Sequence, residues 1–334
     1  MATNEAKKTQ RGVKLGSTGP EVFPLGLGCM GMSGTYGVTD DAESIRTIQT
    51  AIDRGVTLID TGDFYGMGHN ELLVGRAIAG GRRERVQLSV KFGAMRGPDN
   101  SWGGVDTRPA AVKNFLAYSL KRLGVEYIDI YRPARLDPAV PIEDTIGAIA
   151  DLVKAGYVRH IGLSEVGVET IRRAHRVHPI VDLQIEYSVA SRGPEAQLFP
   201  ALTELGISAT LYGVFSRGLL TGSKPKGQGD YRAHLPRFTG SNQQQNEGVV
   251  NEFQRFARER GMTPGQLAVA WVLARQPAFV PVVGAKTVAQ LEDSLGALER
   301  PLSKSDAEAL EALVKISGER YGAEQMKHLD SERR

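Results

Sequence analysis

The chain has 334 residues, 41% hydrophobic and 24% charged, a globular balance whose length suits one α/β barrel. Its net charge of +3, from 41 basic and 38 acidic residues, is too small and dispersed for a nucleic-acid footprint. No apolar run approaches the roughly 20 residues of a membrane-spanning helix; the single cysteine, Cys29, excludes an intrachain disulfide and fits a cytoplasmic protein.

The first residues, MATNEAKKTQRG, are polar and lack the apolar core of a signal peptide. Residues 1 to about 11 and about 318 to 334 read as solvated tails. Val13 to Gly19 followed by Glu21 to Phe23 predicts a β-hairpin turning at Ser17-Thr18-Gly19. A pattern then repeats, in which a short apolar run precedes a longer segment of helical spacing. The runs Leu25–Cys29, Thr57–Ile59, Val86–Val90, Tyr127–Tyr131, Val158–Leu163, Val181–Ile185, Ser208–Leu211 and Phe279–Val283 predict strands. Helices are expected near 41–54, 69–79, 108–123, 143–155, 167–177, 195–205, 247–260, 263–275 and 287–298. Asp40, Thr107, Gly167 and Thr263 precede such helices, and Pro141 and Pro264 sit near first turns, as capping requires. The polar, Gly-rich stretch of about 222–245 is too long for an idle connector and reads as a loop over a binding mouth.

This alternation predicts an α/β fold, a (β/α)8 TIM barrel with an N-terminal β-hairpin and extra helices near the C-terminus. A single domain is expected over 1–334, with its core at about 13–315. The barrel is preferred to an open sheet because Asp60, Lys91, Ser164, Gln184, Tyr212 and Gly284 fall at or just beyond the C-terminal ends of different strands, which converge only in a barrel.

Gly26-Leu27-Gly28-Cys29-Met30-Gly31 matches G-x-G-x-x-G, the dinucleotide fingerprint of an open sheet. That motif needs a helix opening at once on the glycines, whereas Met32-Ser33-Gly34-Thr35-Tyr36-Gly37 is loop-like. More informative is Leu58-Ile59-Asp60-Thr61-Gly62-Asp63-Phe64-Tyr65-Gly66. One strand delivers Asp60, a short loop carries Tyr65, and the next strand ends at Lys91. A lysine beside a phenol favours the phenolate and is expected to lower its pKa, with Asp60 orienting the lysine. Such a tyrosine can protonate a developing alkoxide. Taken singly, each residue could equally be packing, a cap or surface; their joint placement is the signal.

The chain resembles the aldo-keto reductases, on KLGSTGPEVFPLGLGCMGMS, LIDTGDFYGMGHNELLVGRAI, SVKFG, LVKAGYVRHIGLSEV, DLQIEYS, LYGVFSRGLLTG and VPVVGAKTVAQLEDSLGAL in that order. It looks nearest to the branch that includes the potassium-channel β subunits and similar bacterial and plant reductases. The resemblance implies NADPH-dependent reduction of aldehydes or ketones, and the reverse oxidation, with Tyr65, Lys91 and Asp60 catalytic. It implies a cofactor lying along Met30, Gly31 and Asp60. Ser164 and Gln184 would face the nicotinamide carboxamide, and Tyr212, beside Gly213, its ring. Arg217, Gly218 and Leu220 would cover the pyrophosphate. Gly284, Lys286, Gln290, Asp293 and Ser294 would hold the adenosine 2′-phosphate and adenine. A lysine at a helix start suits a phosphate dianion, which favours NADPH over NADH. Phe64 and Trp102 are candidate pocket walls. No metal site is expected, and the partner is a small carbonyl compound, neither nucleic acid nor membrane.

The family's fourth catalytic residue, a histidine, is missing. Tyr131-Arg132-Pro133-Ala134-Arg135-Leu136-Asp137-Pro138 places Ala134 there, and Glu165 replaces an asparagine common after the serine. His69, His160 and His175 do not obviously substitute. Arg132 and Arg135 are nearer, and each is either a ligand for a substrate oxyanion or a structurally paired cation; Arg132 is the candidate substrate ligand. The missing histidine also leaves room for a rival function, a redox-sensing regulatory subunit that binds NADPH.

Overall fold

The computed structural model describes residues 12–99, 101–227 and 229–332, so the expected N-terminal tail lies outside the described residues. Eight parallel strands close a barrel: β1 (Gly26–Gly28), β2 (Leu58–Gly62), β3 (Gln87–Phe92), β4 (Ile128–Pro133), β5 (Val158–Ser164), β6 (Ile180–Glu186), β7 (Ser208–Tyr212) and β8 (Val280–Gly284). β8 pairs back onto β1. The strands read as near-continuous apolar runs because both faces are covered. Every residue of β2, β4 and β6 is buried.

Around them lie α1 (Asp41–Asp53), α2 (His69–Ile78), α3 (Pro109–Leu123), α4 (Ile142–Lys154), α5 (Val168–Val177), α6 (Leu198–Leu205), α7 (Gly240–Glu259), α8 (Pro264–Arg275), α9 (Val288–Gly296), α10 (Lys304–Leu313) and α11 (Ala323–Lys327). The caps follow the local chemistry. The Asp40 side chain accepts from Glu43 N at 2.8 Å, and Thr263 and Gln266 form a reciprocal capping box with Pro264 in the first turn. The N-terminal hairpin pairs Val13–Lys14 with Glu21–Val22. Its Leu15 and Val22 join Leu58, Ile130, Val181, Val280 and Val282, so the barrel's N-terminal end is closed by an apolar plug.

Three features depart from the sequence expectation. A second hairpin, Ala94–Arg96 with Trp102–Val105, follows β3. Helix α7 begins at Gly240, seven residues before the predicted start at about 247, so the loop after β7 is shorter than expected. Its first turns, GSNQQQN, have no apolar face, and they are anchored instead by buried Asn246. That amide donates to Arg237 O and Ser317 O at 2.9 Å each and accepts from Ser317 N at 2.7 Å.

The third departure is the C-terminal segment, which is no solvated tail. Arg320 and Tyr321 are buried. Arg320 makes a two-bond pair with the Glu165 carboxylate at 2.8 and 2.6 Å and reaches Glu332 at 2.8 Å. Asp330 accepts from Gly167 N at 2.8 Å and Thr170 Oγ1 at 2.7 Å, tying the segment to the start of α5. Polar composition hid this packing, because charge pairs carry much of it, while Tyr321 and Leu329 add only two widely spaced buried apolar anchors that pack on Leu219, Leu235, Phe238 and Val250. Removing one partner of a buried pair strands the other, at roughly 3–5 kcal/mol. Arg320→Met should therefore destabilise by about that much in urea unfolding, and adding Glu165→Asn should recover a large part of the loss. Additive losses in the double variant would show that the pair is not the anchor.

Candidate active site

Above the apolar plug the barrel interior turns polar, and strand register decides which side chains meet. Asp60 lies opposite Ser89, and Lys91 lies between Gly62 and Arg132. Gln184 lies between Ser164 and Thr210. The Asp60 carboxylate accepts from Lys91 Nζ at 2.5 Å and from Ser89 Oγ and Gln184 Nε2 at 2.8 Å each. Lys91 Nζ also donates to Gln184 Oε1 at 2.8 Å. Both charges are thus paired and hydrogen-bonded, the condition for burying them. Burial pushes the Lys91 ammonium below its ordinary pKa, and Asp60 works against that.

Tyr65 sits on a tight turn in which Gly66 and Met67 adopt left-handed backbone. Its ring packs edge-on against Phe64, 4.7 Å between centroids, and Lys91 Nζ lies 5.2 Å from its centre. The side chain is almost wholly buried, yet its hydroxyl has no hydrogen-bond partner among the described residues. The expected pull of Lys91 toward the phenolate is corrected here. Burial and the Asp60 carboxylate push the phenol well above its usual range, and Arg135 is the cation that opposes them. The charge of Lys91 is spent on Asp60. A phenol that keeps its proton is the form a proton donor needs.

Other candidates fall differently. Arg132 is not a substrate ligand. It is fully buried in the barrel, with Nη1 on Asp182 Oδ2 at 2.8 Å and Nη2 on Ser89 Oγ at 3.0 Å. Gly162 makes room for this pair, since a Cβ there would lie 2.7 Å from Asp182 Oδ1. Trp102 stands 56% exposed on the second hairpin, under the Arg96 guanidinium at 5.5 Å. The three histidines are engaged elsewhere: His69 with Ser33 and Asp41, His160 near the start of β5, and His175 with the Ile180 backbone. Ala134 is buried, and its N–H donates to Phe92 O at 2.8 Å, so no polar side chain stands at that position. The G-x-G-x-x-G stretch runs from β1 into a 3-10 turn, Met30–Ser33, and not into an α-helix.

Beside this centre lies a second ionic cluster. Glu165, at a left-handed φ of 55°, accepts from Arg320, from Tyr212 Oη at 2.6 Å and from Ser331 Oγ at 2.7 Å. Arg320 beside it holds this carboxyl down, at about 2, against burial. Tyr212 Oη also meets Tyr321 Oη at 3.2 Å. Glu186 pairs with Arg217 at 2.7 Å, and the Arg217 guanidinium lies 4.4 Å over the Tyr321 ring. Gly213 is required here, since a Cβ would lie 2.8 Å from Glu186 Cγ. Ser216, Arg217 and Gly218 follow in consecutive left-handed backbone. Asp182, Arg320 and Tyr321 were not legible as site residues, because their partners are remote in sequence.

A third group stands at the start of α9. Lys286 N donates to Gln290 Oε1 at 2.8 Å, and its Nζ donates to Tyr36 O at 3.3 Å. Burial, Lys226 and Arg232 together push the Lys286 ammonium down, so three cations share this corner. Of these, Arg232 is paired with Asp230 at 2.7 Å. Ser294 is buried with its hydroxyl on Gln290 O at 3.0 Å, while Asp293 accepts from Thr263 Oγ1 at 2.8 and 2.9 Å. No His/Cys/Asp/Glu group able to hold a metal occurs among the described residues.

The closed parallel barrel is a TIM barrel, with a buried Asp–Lys pair and an unpartnered tyrosine at the C-terminal mouth where such barrels place their chemistry. The model of the aldo/keto reductase family matches residues 24–315. The chain is 40% identical over 319 residues to a probable aldo-keto reductase of Glycine max, covering 92% of this chain and 91% of that one. Among solved structures, it resembles a glycerol dehydrogenase of Gluconobacter oxydans at 25% identity and a TM-score of 0.82, over 97% of each chain. It also resembles the holo form of an aldo-keto reductase of Bacillus halodurans at 27% identity and a TM-score of 0.75, over 93% of this chain and 98% of that one. The chain belongs to the aldo-keto reductase family. Members of that family generally reduce carbonyl groups with a nicotinamide cofactor.

The Asp60–Tyr65 loop carries its own titrating group. Asp63 Oδ2 accepts from Gly93 N at 3.2 Å, while Oδ1 is buried without a partner. Burial and the nearby Glu71 push its carboxyl from 3.8 up to about 7. The neutral acid is the form the fold prefers, so its stabilising contribution is full below the unfolded value and is lost as pH rises through about 7. Asp63→Asn should flatten the fall in melting temperature between about pH 4 and pH 7. An unchanged pH profile would show that Asp63 titrates normally.

Proposed function

We propose that this protein uses NADPH to reduce an aldehyde or ketone, with Tyr65 as the proton donor. The observation that carries the reading is the Tyr65 hydroxyl, left without a partner beside the buried Lys91–Asp60 pair. The nicotinamide, when bound, supplies the hydride. The residues suit such a cofactor. Ser164, buried at the end of β5, makes no side-chain hydrogen bond among the described residues. Tyr212, Gly213 and the left-handed run Ser216–Gly218 would form the wall for its nicotinamide and pyrophosphate. Neither Lys286 nor Lys226 has a carboxylate within ion-pair distance among the described residues, which suits the 2′-phosphate that distinguishes NADPH.

Tyr65 holds its proton until negative charge develops on the carbonyl oxygen, then transfers it there. The phenolate left behind, its ring centre 5.2 Å from the Lys91 ammonium, is high in energy and takes a proton back from solvent. Asp60, Ser89 and Gln184 keep that ammonium in place, so the site needs little rearrangement as charge moves. A cytoplasmic setting agrees with the free thiol of Cys29. The regulatory reading, without turnover, has no observation of its own in the structure.

Tyr65→Phe should lower carbonyl reduction about 10²-fold or more, with NADPH affinity nearly unchanged. Near-normal turnover would sink the assignment. Lys286→Met should weaken NADPH binding by about 1.5–3 kcal/mol and NADH binding little, as read by quenching of intrinsic fluorescence. Equal losses for both cofactors would mean that Lys286 does not read the 2′-phosphate.

A further inference from the structure

Apart from Lys286 and Lys226, which share the corner at the start of α9, five cations around the mouth are paired. Lys91 has Asp60, Arg132 has Asp182, Arg217 has Glu186, Arg232 has Asp230, and Arg320 has Glu165 and Glu332. Arg135 is different. It is the second residue after β4, next to Ala134, and its side chain is only partly exposed. It donates from Nη1 to Ala134 O at 2.6 Å, and it makes no ion pair with a carboxylate among the described residues. A guanidinium has five N–H donors, so most of its hydrogen-bonding capacity is unspent.

Its surroundings are the catalytic ones. The Arg135 charge acts on Tyr65, Tyr212 and Tyr231, and Tyr321 and Glu165 act on it in turn. Glu165, the carboxylate in that group, is already held by Arg320, Tyr212 and Ser331. A half-buried guanidinium that makes no ion pair among the described residues, two residues beyond the C-terminal end of β4 and so at the barrel mouth that also carries Tyr65, is placed to take an oxyanion. Ala134 ends at Cβ and offers no competing polar group from the preceding position.

We propose that Arg135 binds an anionic group of the substrate, so that the compound reduced at Tyr65 carries a carboxylate or phosphate a few bonds from its carbonyl. This rests on the reductase reading and adds the substrate class to it. The guanidinium grips the oxyanion through two N–H donors and fixes the carbonyl oxygen near Tyr65 Oη. It is a binding residue and takes no part in proton transfer.

Two matched pairs test the proposal with NADPH and the full chain: 4-carboxybenzaldehyde against its methyl ester, and glyceraldehyde 3-phosphate against glyceraldehyde. The protein should favour at least one anionic member by 10-fold or more in kcat/KM, and the pair that shows it tells carboxylate from phosphate. In Arg135→Met that ratio should fall 10- to 100-fold, mainly through KM, the scale of a charge-assisted hydrogen bond. Arg135→Lys should keep part of the preference, and NADPH affinity should hold in both variants. Tyr65-dependent reduction with no anion preference would overturn this inference and leave the reductase reading standing. A preference that survives Arg135→Met, or an equal loss on both members of each pair, would also overturn it. No reduction of any of the four compounds would defeat both readings.

Discussion

The buried ion pair between Lys91 and Asp60 is the constraint around which the rest of the mouth is arranged. Neither charge is tolerable in a barrel interior alone, because desolvation would neutralise it. Together, with Ser89 and Gln184 completing the bonds at 2.8 Å, they form a fixed electrostatic floor. Strands from three parts of the sheet must hold their register for those atoms to meet. The apolar plug beneath, sealed by Leu15 and Val22 of the hairpin, keeps water out from below. A second buried pair, Arg132 with Asp182, bonds to the same Ser89 hydroxyl and so extends the network across the barrel.

Tyr65 draws its character from this floor. Its phenol is surrounded by protein and faces the Asp60 carboxylate, and both effects hold the proton on oxygen. The group can give the proton up only when a reacting oxygen becomes negative, which ties proton transfer to chemistry. The loop that carries Tyr65 is itself anchored through Asp63 to Gly93 N, at the end of the strand that delivers Lys91. Donor and lysine therefore share one short piece of covalent and hydrogen-bonded structure.

The departure at Ala134 is local, and the surrounding chain is rebuilt consistently. Arg132 fills the barrel below it and pairs with Asp182, while Arg135 bends back to the Ala134 carbonyl. Likewise Glu165, where family members commonly carry asparagine, is matched by Arg320 from the far end of the chain. Arg132 and Glu165 have each acquired a partner, whereas Arg135 makes no ion pair among the described residues, and that is why it carries the substrate inference.

What the sequence alone determined is whatever short-range pattern can encode. The eight apolar runs, the Thr263–Gln266 cap, the N-terminal hairpin and the delivery of Asp60, Tyr65 and Lys91 to strand ends were all legible, because periodicity and capping are local. The start of α7 was misplaced, since GSNQQQN has no apolar face and is anchored by Asn246. Three things were decided only by tertiary structure. Arg132 turned from the mouth to Asp182, 50 residues away. The segment from Arg320 to Glu332 became part of the site by pairing with Glu165, 155 residues away. Tyr65 kept its proton although a lysine stands near. All three depend on which charge meets which in a water-poor interior, and that is a property of barrel closure which no window of sequence contains.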